Sequence, residues 1–126
     1  MINSLLKGLP LLALLLLAGC QGAQDIENFD ETAFQNDPNG CEGVREAMKT
    51  QVFQLSKPLI GLSQREINAT LGKPDRQELA ARSQKYFVYY IEPGPACESN
   101  TEEEPLSMYV RFNSVGQANE ISFKNY

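Results

Sequence analysis

The sequence predicts an α+β domain, with two N-terminal helices packed on one face of a three-stranded antiparallel meander. Three observations carry this. Val44, Met48, Val52 and Leu55 recur at helical spacing. A second, short helix is punctuated at both ends between Ser63 and Pro74. Beyond residue 84 the period shortens to two, in three segments rich in aromatic and β-branched residues. Helices followed by strands in this order build segregated layers rather than a wound α/β sheet.

The first helix is predicted over residues 42–56, started at Asp37-Pro38 or Asn39 and stopped by Pro58. In the second, Ser63 and Glu66 form a capping box, and Leu62 and Ile67 occupy the hydrophobic-staple positions. Gly72 suits the left-handed position past the helix end, and Pro74 prevents continuation. Ile67 and Leu71 share the buried face. The first strand, 85–91, is aromatic and β-branched. The second, 106–112, turns Leu106, Met108, Val110 and Phe112 inward, with Ser107, Tyr109 and Arg111 outward. The third, 117–124, turns Ile121 and Phe123 inward and Glu120, Ser122 and Lys124 outward. Residues 113–116 connect the last two as a tight hairpin. A longer loop, 92–105, carries Cys97 and the acids Glu102, Glu103 and Glu104.

The other end of the chain addresses location. Lys7, an apolar run over 9–18 and Leu17-Ala18-Gly19-Cys20 read as a secretory signal closing on a lipobox. The run is half the ~20 residues of a spanning helix. Residues 1–19 are therefore expected to be a removed signal peptide. Cys20 resembles the acceptor of bacterial lipoproteins, which carries a diacylglyceryl group and an N-acyl chain of the palmitate kind. Two or three acyl chains, at about 0.8 kcal/mol per buried methylene, hold the protein at the membrane. By the sorting rule of such lipoproteins, Gln21 rather than Asp after the cysteine favours the outer membrane, with the domain in the periplasm.

Residues 20–40 hold Asp25, Glu27, Asp30, Glu31 and Asp37 with no basic residue, and are expected to be a flexible, solvated tether. Phe29 and Phe34 could dock, but the composition favours a loose linker. The globular domain is then 41–126. Lys7 is the only charge in residues 1–19, which leaves 10 basic against 16 acidic residues, a net charge near −6. Nucleic acid, which needs clustered basic charge, is excluded as a partner. Of three cysteines, one lipidated, Cys41 and Cys97 remain. In an oxidising compartment they are expected to form a disulfide.

The order of elements and the string Gly61-Leu62-Ser63-Gln64-Arg65-Glu66-Ile67, continuing through Leu71-Gly72-Lys73-Pro74, resemble the signature of SmpA/OmlA-type (BamE-like) small outer-membrane lipoproteins. The resemblance spans residues 59–123. It implies the two-helix, three-strand fold also found in each half of the β-lactamase inhibitor protein. It also implies a role like that of accessory subunits of the β-barrel assembly machine. The Cys41/Cys97 pair and the acidic 92–105 loop depart from those members, so their contacts are not carried over.

Catalysis finds no footing. Without histidine there is no imidazole base for a serine or cysteine nucleophile, and no histidine metal site. Glu102, Glu103 and Glu104 lack the alternating spacing of a calcium loop. Asn68-Ala69-Thr70 matches a glycosylation sequon but falls inside a helix. No metal and no cofactor are expected, and the protein is read as a non-enzyme. A single helical layer leaves the second sheet face for binding. Tyr109 and Arg111 point there. On the first strand either Tyr86, Val88 and Tyr90 or Phe87, Tyr89 and Ile91 accompany them. Taking Tyr86 and Tyr90 outward, the partner-binding patch is Tyr86, Tyr90, Tyr109 and Arg111. The expected role is a protein-binding scaffold in outer-membrane protein assembly or envelope integrity, its partner an unidentified envelope protein. The alternative is a binder or inhibitor of a periplasmic enzyme or cell-wall component.

Overall fold

A computed structural model describes residues 26–125, so the signal segment and Cys20 lie outside the described residues. Four short α-helices, α1 (Glu31–Gln35), α2 (Val44–Ala47), α3 (Lys49–Phe53) and α4 (Gln64–Leu71), precede four strands. The strands are β1 (Arg76–Ala80), β2 (Gln84–Tyr90), β3 (Leu106–Phe112) and β4 (Ala118–Asn125), antiparallel in the order β1-β2-β3-β4. The α+β class stands. The sheet has four strands where the sequence suggested three.

The extra strand is β1, paired with β2 from Arg76↔Val88 to Ala80↔Gln84. Its sequence, Arg-Gln-Glu-Leu-Ala, has no inward apolar alternation, and Leu79 is 88% exposed. Residues of this kind favour helix over strand. Hydrogen bonding to the edge of β2 overrides that preference. The tight return places Arg82 and Ser83 at φ 62° and 61°.

The expected 42–56 helix is broken. Gly43 at φ 78° precedes α2, Met48 at φ −95°, ψ 16° separates α2 from α3, and Pro38–Gly40 and Gln54–Ser56 are 3-10 turns. Val52 and Leu55 are buried as expected, yet Val44 is exposed and Arg45 takes the inward position. The second helix follows its punctuation. Ser63 Oγ accepts from Glu66 N–H at 3.1 Å, and Glu66 Oε1 accepts from Ser63 N–H at 2.9 Å. Gly72 ends α4 at φ 85°, ψ 178°, an extended positive-φ conformation rather than the left-handed one expected.

The tether expectation is corrected for residues 26–40. Phe34 is fully buried, Ile26 and Phe29 pack against the core, and α1 is capped by Asp30 Oδ1 accepting from Ala33 N–H at 3.0 Å. Gln35 Nε2 donates to the Ala69 and Thr70 carbonyls at 3.0 and 2.9 Å, closing the end of α4. Net acidity suggested solvated carboxylates, but Asp37 is buried and binds backbone N–H groups. One core results, between Phe34, Val52, Leu55, Leu59, Ile67 and Leu71 on the helical side and Phe87, Tyr89, Ile91, Met108, Val110 and Phe112 on the sheet.

Candidate functional site

The pleat and register settle the alternation that the first aromatic strand left open. Phe87, Tyr89 and Ile91 enter the core, so Tyr86, Val88 and Tyr90 face the other way. Tyr86 lies opposite Arg111, Val88 opposite Tyr109, and Tyr90 opposite Ser107. Tyr86, Tyr90, Tyr109 and Arg111 therefore share the face away from the helices. From the neighbouring strands Arg76, opposite Val88, and Lys124, opposite Ser107, join them.

Not all four can be touched. Tyr109 is 1% exposed and Tyr90 8%, so these two are floor rather than contact surface. The Arg76 guanidinium donates to the Tyr109 hydroxyl at 3.0 Å and to the Tyr90 hydroxyl at 3.2 Å, and pairs with Glu78. Burial works against its charge, but the hydrogen bonds it donates to Glu78 and the two hydroxyls outweigh it and raise its pKa. The Lys124 ammonium sits 4.9 Å from the Tyr109 ring centre and 5.8 Å from that of Tyr86. Arg111 lies 5.9 Å from the Tyr86 ring, donates to Gln84 Oε1 at 2.7 Å and pairs with Glu120 at 3.6 Å. Tyr86 and Tyr109 meet edge to face at 5.9 Å. The result is a tyrosine floor under a half-exposed layer of Tyr86, Arg76, Arg111 and Lys124. Lys124 was legible as outward-facing. Arg76 was not, because its strand was not.

A second constellation escaped the sequence entirely. Arg45, 1% exposed, donates to Asp75 at 2.6 Å and to the Phe34 and Tyr90 carbonyls at 3.0 and 3.1 Å. Its guanidinium lies 4.2 Å over the Phe34 ring. Asp75 also accepts from the N–H groups of Asn39 and Tyr90, both at 2.9 Å. Asp37, fully buried, accepts from Glu42, Val44 and Arg45 N–H at 2.8–3.1 Å, fixing the start of α2. An arginine beside a valine at a helix start reads as solvated, and nothing local marks it otherwise. Arg45, Asp75 and Asn39 floor a depression of about 340 Å³ with Gln35, Pro38 and Lys73. Among the described residues no buried side-chain nitrogen or oxygen lacks a partner, so the cluster is a fastener between the N-terminal arm, residues 26–45, and the sheet.

Cys41 and Cys97 are bridged, with Cα atoms 5.3 Å apart. The bridge ties the 92–105 loop to the arm. Ser99 Oγ donates to the Cys41 carbonyl at 2.9 Å, and Gly94 N–H to that of Asn39 at 2.9 Å. Gly94 approaches Tyr90 so closely that a Cβ there would fall 2.7 Å from its ring. Glu102, Glu103 and Glu104 are exposed, and among the described residues no three His, Cys, Asp or Glu side chains gather as ion ligands. No family model, curated protein or solved structure matches the chain.

Proposed function

We propose that the protein is a non-catalytic lipoprotein, anchored through Cys20 in the outer membrane, that docks an envelope protein on its outer sheet face. The single observation carrying the docking role is the half-exposed aromatic and cationic layer on the sheet face away from the helices. Helices bury one face, while the other presents Tyr86 among Arg76, Arg111 and Lys124 over a rigid tyrosine floor. Aromatic and arginine side chains held in place before contact are the residues that dominate binding energies. Arg76, Arg111 and Lys124 against Glu78 and Glu120 leave this face slightly basic on an acidic chain, which favours a partner presenting carboxylates. The lipobox supports the anchor. The Gly61–Pro74 string supports the likeness to SmpA/OmlA-type lipoproteins, their inhibitor-protein-like fold and an accessory role in outer-membrane protein assembly.

In-cell crosslinking and pull-down test the reading. The wild-type chain should enrich a stoichiometric membrane-complex protein. Tyr86→Ala with Arg111→Ala should cut that capture by roughly tenfold, the scale of a binding hot spot, while thermal unfolding stays cooperative. Capture unchanged by the double variant rejects the face. Retention on peptidoglycan or on one soluble periplasmic enzyme instead would favour the inhibitor reading. Intact mass of the cell-derived protein should show acyl chains on Cys20, and Cys20→Ser should release the protein from the membrane fraction.

A further inference from the structure

β4 ends the sheet, and among the described residues its outer side is met at one end, where Gly61 N–H donates to the Ala118 carbonyl and Ala118 N–H to that of Leu62, both at 2.8 Å. The Leu106 carbonyl accepts from Ile91 N–H on the β2 side, so Met108 and Val110 also bond toward β2, and their β4 partners Phe123 and Ile121 turn their backbone N–H and C=O groups to the open edge. Both side chains are half-buried, and Phe123 packs edge to face at 4.8 Å on Phe53, which is 42% exposed. An open edge of this length with apolar flanks is a template for another strand.

We infer that a second copy of this chain docks there, β4 pairing antiparallel with its own counterpart about a twofold axis through Ser122. Charge selects that register. It sets Ile121 against the partner's Phe123 as hydrogen-bonded pairs, and Glu120 against the partner's Lys124 as close, non-hydrogen-bonded pairs, twice by symmetry. Centring the pairing on Glu120 or Lys124 sets like charges opposite each other, and centring it on Ile121 or Phe123 sets Glu120 or Lys124 opposite Ser122 and forfeits the attraction. The opposite edge is no rival. β1 has five residues against the eight of β4. Joined this way, two sheets form one eight-stranded sheet, with both tyrosine layers on one side. The pairing does not rest on the anchor or on the docking role.

The test uses the full chain in cells. Ser122→Cys, placed at the axis, should give a disulfide-linked dimer on a non-reducing gel after mild oxidation. Gln77→Cys on the β1 edge should not. In the Ser122→Cys background, Glu120→Lys or Lys124→Glu alone should reduce the dimer about tenfold, because both cross-strand pairs become repulsive. Exchanging both charges together should restore it. Absence of the crosslink in a folded Ser122→Cys chain, equal crosslinking through Gln77→Cys, or failure of the double exchange to restore the dimer would each overturn the inference. Tyr86→Ala, which keeps the Arg111–Glu120 contact, should leave the crosslink intact, which separates this result from the fate of the docking face.

Discussion

Arg45 carries more consequence than any other single side chain here, because its charge is compensated in only one arrangement. Removing one member of a buried pair leaves the other uncompensated, at about 3–5 kcal/mol. Arg45→Met should destabilise by that amount in denaturant melts. A joint Asp75→Leu change should not rescue it, since Asp75 also satisfies the Asn39 and Tyr90 N–H groups. Asp75→Asn beside Arg45→Met keeps an acceptor and should recover part of the loss. Tyr89 gives a pH signature. Burial, with Asp75 nearby, pushes its hydroxyl pKa up, and the hydroxyl donates to the Gly72 carbonyl at 2.8 Å. Above the ordinary tyrosine value of about 10 the unfolded chain ionises while the folded residue stays neutral. Its contribution is therefore complete below that pH and is lost as pH rises toward the folded value, at about 1.4 kcal/mol per unit. Tyr89→Phe should flatten the alkaline decline of stability.

At the scale of the element, α4 stands on its own local signals. Ser63→Ala should cost about 1 kcal/mol through the lost cap. Gly72→Ala should cost more, about 1–3 kcal/mol, because φ 85° with ψ 178° admits almost only glycine. A Cβ there would also fall 3.1 Å from Gln35 Cγ, disturbing the amide that closes the helix from the arm. Melting of Gly72→Ala against Ser63→Ala measures the difference. The α2–α3 stretch behaves otherwise. Two short turns parted at Met48 are below the length at which a helix holds itself, so their geometry follows from Asp37 and Arg45.

For the whole molecule, the Cys41–Cys97 bridge closes a loop spanning 56 positions of the chain. In the chain-entropy model that restraint contributes about 4 kcal/mol, a large share of the stability of a domain this size. Reduction, or Cys41→Ser with Cys97→Ser, should lower the unfolding free energy by about that figure. The arm and the 92–105 loop should gain protease sensitivity before the sheet does. The same bridge holds the loop against Tyr90 and so keeps one border of the tyrosine floor in place.

Local chemistry was enough for α4, the β3–β4 hairpin and the alternation of β3, because caps, turn residues and period-two patterning act within a few residues of each other. It also put Tyr109 and Arg111 on one face of β3, but both alternating sets of the first aromatic strand are apolar or aromatic, and only burial of Phe87, Tyr89 and Ile91 in the core turned Tyr86 and Tyr90 to that face. It could not supply β1, whose side chains prefer helix until β2 offers a hydrogen-bonding edge. Nor could it show that the acidic arm folds, or that Arg45 rather than Val44 turns inward. Those outcomes depend on partners 30 to 45 residues away, Asp75 and the Tyr90 carbonyl, and on how deeply each side chain is covered. Burial turned Tyr109 from a contact into a floor. Charge and exposure are properties of the assembled neighbourhood, and only tertiary packing creates it.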